Sequence, residues 1–146
     1  MATALIEGLL AAGALAHDFL VIEPVEAIRA KHASRGLATH SLAHTDLSHY
    51  SLWVLATKPQ DLQEACEAIM GFLSPQTVVT SIAAGIPIST LKAWLRGHSK
   101  IVRAMPNTPA KVGLGITGLF GTSECTMAEK KAADEVFSAA GQRIWL

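Results

Sequence analysis

Pro106 and Pro109 bracket Asn107-Thr108 directly after an apolar run that ends at Met105. Each proline fixes its own φ and pushes the residue before it toward extended backbone, so Met105 to Pro109 forms a stiff loop at low entropic cost. Such a loop suits a wall beside a flat ligand; it also suits a rigid turn that does no more than end a strand. Gly113 and Gly115 then let the backbone turn or approach another chain segment closely. Ala83-Ala84-Gly85 joins small side chains to exposed amides, which fits close approach by a nucleotide and equally an ordinary turn. Lys58 can meet a phosphate or stay solvated. His40, His44 and His49 are four and five residues apart. A helical His40/His44 pair has metal-binding spacing, but no acidic partner of the HExxH kind accompanies it, so no metal site is expected.

These residues need elements to position them. Leu5, Ile6, Leu9 and Leu10 share one helical face in residues 2–12, with Gly13 suited to the position past the helix end. Phe19 to Ile22 reads as a buried strand stopped by Pro24, Val25 to Arg35 as a helix closed by Gly36, and Leu37 to Thr39 as a short strand. Leu52 to Ala56 is apolar on both faces, as a strand between helix layers must be. Leu62, Ala65, Cys66, Ile69, Met70 and Leu73 make the clearest helical stripe. Further strands are expected at Val78 to Ile82, Lys100 to Met105, Ile116 to Phe120 and Arg143 to Leu146. Helices are expected at Ser89 to Arg96 and, from a Thr126/Glu129 capping box, up to Ala140.

Strands separated by helical stretches of ten to fifteen residues predict an α/β fold with a Rossmann-like, doubly wound and mostly parallel sheet. Ligands of such sheets bind beyond the carboxyl ends of the strands. That places Glu23-Pro24, Ala56 to Pro59, Ala83 to Gly85 and Met105 to Pro109 on one rim. An acid at the end of the second strand of a Rossmann unit bonds the ribose hydroxyls of NAD and repels the 2′-phosphate of NADP, which is the role open to Glu23; the alternative is an exposed carboxylate at a helix start.

The 146 residues fit one domain. Twelve basic and twelve acidic residues cancel, which argues against a nucleic-acid or anionic-membrane footprint. Charged residues interrupt every apolar run before it reaches the length of a membrane span. Glu7 lies inside the first apolar segment and no basic residue precedes it, so a secretory signal is disfavoured and the cytoplasm is expected. Cys66 and Cys125 are no disulfide framework and are expected to be free thiols.

ATKP at 56–59, SIAAGI at 81–86 and VRAMPNTPAKVGLG at 102–115, in this order and spacing, closely resemble the N-terminal domain of pyrroline-5-carboxylate reductase. ALIEGLLAAG near the start and AAGQRIWL at the end extend the resemblance over nearly the whole chain. It implies that Ala56, Thr57, Lys58, Pro59, Ile82, Ala83 and Ala84 contact NADPH or NADH. It also implies that Met105, Pro106, Asn107 and Thr108 lie near the nicotinamide. The implied activity is hydride transfer to the C=N carbon of 1-pyrroline-5-carboxylate, giving proline.

The chain departs from the family in three respects. The first strand and its Gly-rich turn, which would precede the helix at Met1, are absent. So is the helical substrate and dimerisation domain beyond Leu146, so no catalytic acid or base is assigned and a homo-oligomer is expected only through that domain. Glu23 stands where the family commonly has a small hydroxyl residue, and Ala43 near a cofactor-binding Asn, which leaves NADPH against NADH open. The resemblance therefore implies the cofactor-binding part of a reductase, inactive alone. A non-catalytic nucleotide-binding domain and another Rossmann imine or carbonyl reductase are the other readings. Because the absent strand would lie between Phe19–Ile22 and Leu52–Ala56, the chain is expected to fold poorly or to re-pair strands across the gap.

Overall fold

The computed structural model describes residues 1–107 and 113–146. In chain order the elements are α1 (Ala2–Ala11), β1 (Leu20–Ile22), α2 (Glu26–Ser34), β2 (Ala38–His40), β3 (Leu52–Leu55), α3 (Leu62–Ile69), β4 (Val78–Ser81), α4 (Ile88–Trp94), β5 (Ile101–Met105), β6 (Gly115–Gly121), α5 (Met127–Phe137) and β7 (Gly141–Trp145). Gly13, Gly36 and Gly97 follow α1, α2 and α4 with φ of 107°, 84° and 85°, the left-handed backbone that favours glycine past a helix end. At α5 the Thr126 hydroxyl accepts from the Glu129 N–H at 3.1 Å while the Glu129 carboxylate accepts from the Thr126 N–H at 2.8 Å, the reciprocal cap read from the sequence.

One sheet runs β3-β4-β5-β6-β7 and a second contains β1 and β2. All pairings are parallel except β5 with β6. Only nine residues separate Met105 from Gly115, fewer than a crossover to a parallel neighbour needs, so the chain turns back on itself there.

Successive residues of the central strands face opposite layers. Val79, Trp53, Leu55 and Ile101 pack with Leu62 and Cys66 of α3 and with Leu91 of α4. Val78, Val102, Ala104 and Leu119 pack with Leu5 of α1 and Ala133 and Phe137 of α5. The fold is thus doubly wound, with α3 and α4 over one face and α1 and α5 over the other. Burial of a side chain such as Leu91, fully enclosed, contributes about 1.5–3 kcal/mol. Gly8 lets α1 approach the segment after α5, because a Cβ there would lie 2.7 Å from the Cβ of Ala139.

The sheet is parted where the resemblance implies. Among the described residues β1 pairs only with β2 and β3 only with β4, so no strand re-pairs across the gap. Leu20 and Ile22 instead pack sideways onto the layer that holds Trp53 and Leu55.

Candidate functional site

Parallel register brings three of the loops together. Leu55 pairs with Ser81, and Ser81 with Arg103. Ala56-Thr57-Lys58-Pro59 therefore leaves β3 beside Ile82-Ala83-Ala84 leaving β4, and Met105 extends β5 two residues past Arg103, level with Ala83. The Ile82 N–H donates to the Leu55 carbonyl at 3.2 Å, carrying the pairing to the brink of the turn. Thr57, Lys58 and Pro59 are exposed. Lys58 is held extended at the start of a 3-10 turn, Pro59–Asp61, closed by the Asp61 N–H on the Lys58 carbonyl at 3.0 Å.

The Ala-Ala-Gly turn differs from expectation in one respect. Ala83 is buried, 4% exposed, and its N–H is already taken by the Ser81 hydroxyl at 3.2 Å, so it offers no free amide. Buried donors are paired because leaving one unmet costs about 1–3 kcal/mol. Ala84 and Gly85 are exposed, and their amides have no protein acceptor among the described residues. Gly85 has φ 75°, with nothing within 4 Å of the place a Cβ would occupy, which leaves an open cradle at backbone level.

The third loop is pinned at its base. The Asn107 side-chain carbonyl accepts from the Ile116 N–H at 3.0 Å. Met105 is 43% exposed and Pro106 is half-buried. Met105, Arg103, Phe120, Ile88 and Leu146 line a shallow hollow of about 290 Å³ beside the loop. Thr108 and Pro109 lie outside the described residues.

Glu23 stands apart. It follows β1 of the smaller sheet, where its N–H donates to the His40 carbonyl at 2.9 Å and its own carbonyl accepts from Arg29 Nη1 at 2.9 Å. No hydrogen bond among the described residues joins it to the other three loops.

Sequence reasoning missed a cluster next to it. His40 ends β2, His44 caps the 3-10 turn Thr45–His49, and Asp46 sits in that turn. The two imidazole rings stack with centroids 3.8 Å apart and planes 9° from parallel. The Asp46 carboxylate lies 2.9 Å from His40 Nε2 and 3.3 Å from His44 Nδ1. The hydrogen bond from His40 holds the Asp46 carboxyl below its ordinary range, against the opposing effect of desolvation. The pair is not helical, so the test for an acid at helical spacing looked in the wrong frame; the signal was the Asp46 two residues after His44.

Neither thiol joins a cluster of potential metal ligands among the described residues. Cys66 and Cys125 are free and buried, and burial pushes the Cys66 thiol up to about 11, away from thiolate chemistry.

Residues 1–85 match the family described as NADP oxidoreductase, coenzyme F420-dependent. The chain belongs to this family. It is 35% identical over 147 aligned residues to the pyrroline-5-carboxylate reductase of Pseudomonas aeruginosa and 30% identical over 148 to that of Methanosarcina acetivorans, covering 54% of each. It thus spans about half the length of the curated relatives it matches. A pyrroline-5-carboxylate reductase from Coxiella burnetii superposes with a TM-score of 0.94 at 31% identity over 99% of this chain and 54% of that one. A pyrroline carboxylate reductase from Plasmodium falciparum, solved with NADP bound, gives 0.83 at 25% identity, over 99% and 53%. No described helix is long and apolar enough to cross a membrane.

Proposed function

We propose that the chain binds NADPH or NADH along the rim formed by Ala56 to Pro59, Ile82 to Gly85 and Met105 to Asn107. Within a longer protein, that rim serves the reduction of 1-pyrroline-5-carboxylate to proline. The observation that carries this reading is the in-register exit of β3, β4 and β5, which puts an exposed lysine, a turn with two amides that have no protein acceptor among the described residues, and a pinned apolar loop side by side. The names of the relatives, and the NADP bound in one similar structure, support it.

Each element has a defined part. Ala84 and Gly85 admit a ligand against the backbone, where amide donors meet phosphate or ribose oxygens without a side chain intervening. Lys58 sets a positive charge beside them. Met105, Pro106 and Asn107 form a stiff flank that orients a flat ring and excludes water from one side. Glu23 faces the ribose hydroxyls at the adenosine end and disfavours a 2′-phosphate. The coenzyme, when bound, supplies the hydride; the chain binds and orients it. No general acid or base is assigned within these residues. The same reading makes the protein a cytoplasmic homo-oligomer that acts on a small molecule, with neither nucleic acid nor membrane as partner.

Titration of the chain with NADPH and NADH, following reduced-nicotinamide fluorescence, tests the binding. Lys58→Ala is expected to weaken both coenzymes by about tenfold, the equivalent of ~1.4 kcal/mol. Glu23→Ser is expected to shift preference toward NADPH. An unchanged ratio removes Glu23 from the site, and unchanged affinity for both coenzymes in Lys58→Ala removes Lys58 from the rim. Turnover of pyrroline carboxylate by the longer natural protein tests the reaction separately.

A further inference from the structure

We propose that His40, His44 and Asp46 form a binding site for one divalent transition-metal ion, zinc being the best match to the ligand set. The inference concerns a side-chain cluster outside the three coenzyme loops and does not rest on the coenzyme reading.

Three side chains from two elements converge. β2 delivers His40, a bend at Ser41-Leu42 follows, and the 3-10 turn Thr45–His49 with its cap brings His44 and Asp46 against it. One ligand atom of each lies within 4.8 Å of the other two. A tetrahedral zinc ion with bonds of ~2.0–2.1 Å to nitrogen and oxygen holds its ligand atoms ~3.3 Å apart. The separations of 2.9 Å and 3.3 Å from Asp46 Oδ2 to the two ring nitrogens are already of that size. The rings stack 9° from parallel, so their in-plane lone pairs do not yet converge, and rotation of an imidazole out of the stack is the rearrangement that admits the ion.

The chemistry of the set selects the metal. Two imidazoles and one carboxylate suit zinc, nickel or copper, whereas calcium and magnesium take oxygen ligands. Three protein ligands leave at least one position for water. Without an ion the carboxylate accepts from His40, and the Asp46 N–H donates to His44 Nδ1 at 3.1 Å. Coordination through His44 Nδ1 replaces that capping bond, and coordination by Asp46 replaces the bond from His40.

The backbone beneath is fixed. His40 pairs with Ile22 across the two-stranded sheet, and its carbonyl holds the Glu23 N–H. The side chains of His40, His44 and Asp46 are 31%, 45% and 47% exposed, so an ion reaches them from solvent without any opening of the fold. Exposure of this degree also keeps the affinity moderate.

Calorimetric titration of the chain with zinc chloride, paired with visible absorption after cobalt(II) addition, tests the site. The expected result is one ion per chain and an intensified cobalt spectrum of low coordination number, both reversed by a chelator. The dissociation constant should rise at least about tenfold in each of His40→Gln, His44→Gln and Asp46→Asn, and stay unchanged in His17→Ala, which alters a histidine outside the cluster. No saturable binding, a cobalt spectrum of the hexaaqua ion, or equal affinity in the three cluster variants and the parent chain overturns the proposal. The cobalt spectrum of the parent chain decides the matter even where a variant fails to fold.

Discussion

Val78, Val79, Thr80 and Ser81 in β4 are each at most 3% exposed, whereas Leu20, Val21 and Ile22 in β1 are all only half-buried. Both are expected as strands from the sequence, β1 as a short apolar run. The difference is in what surrounds them: β4 has strands on both edges and helices over both faces, while β1 has a single partner, β2, and packs sideways onto one layer. A short apolar run therefore specifies a strand without specifying how deeply it is held. The three adjoining loops of the candidate coenzyme rim stand on the deep sheet, and Glu23 and the histidine cluster stand on the shallow one.

Removing a large side chain from each region should give the widest contrast. Phe137, fully buried beneath the larger sheet, is expected to cost about 3–5 kcal/mol as Phe137→Ala. Leu20→Ala, at a half-buried position, is expected to cost about half as much or less. Chemical denaturation of both variants measures this, and equal losses would erase the distinction between the two sheets.

A backbone substitution probes the far edge of the larger sheet. Gly141 has φ 119°, and a Cβ there would stand 2.2 Å from the Gly115 carbonyl oxygen. Gly141→Ala is expected to cost about 2–4 kcal/mol and to loosen β7 from β6, visible as faster amide exchange confined to those strands. Exchange that quickens equally in β3 and β4 would mean that the sheet opens only as a whole.

The smallest effect concerns the clamp between β5 and α5. Lys100 Nζ reaches both Glu129 oxygens at 3.0 Å and 2.8 Å, with both side chains about one-fifth exposed. That contact, more than the Thr126 cap, holds the Glu129 carboxyl below its ordinary range against desolvation. A carboxyl depressed on folding stabilises above its unfolded pKa of about 4.3 and loses that contribution as pH falls through the lower folded value. Glu129→Gln is therefore expected to cost about 1–2 kcal/mol near neutrality, with the difference from the parent chain shrinking below about pH 4. A difference that stays constant down to pH 2 would assign the effect to the cap alone.

Much of the fold was legible because local signals and tertiary demands agree in these residues. The Thr126/Glu129 box, the glycines past α1, α2 and α4, and the two-faced apolar strand at Leu52–Leu55 each carry a backbone requirement in their own side chains. The antiparallel return of β6 was not legible from its own composition, since strand direction follows from connection length. The site was partly legible. Rim position followed from the alternation of strands and helices, but the loss of the Ala83 amide to Ser81 depends on a hydroxyl that the small-residue pattern does not reveal. The His40/His44/Asp46 cluster escaped because a strand end and a 3-10 turn, rather than one helix, create it.

Amide hydrogen exchange of the chain with and without saturating NADPH tests the central claim most directly. The account predicts added protection at Thr57-Lys58, Ala84-Gly85 and Met105, at the carboxyl ends of β3, β4 and β5, with the opposite strand ends at Ser51, Thr77 and Lys100 unchanged. Protection at those opposite ends, or none at the three loops under saturation, would contradict it.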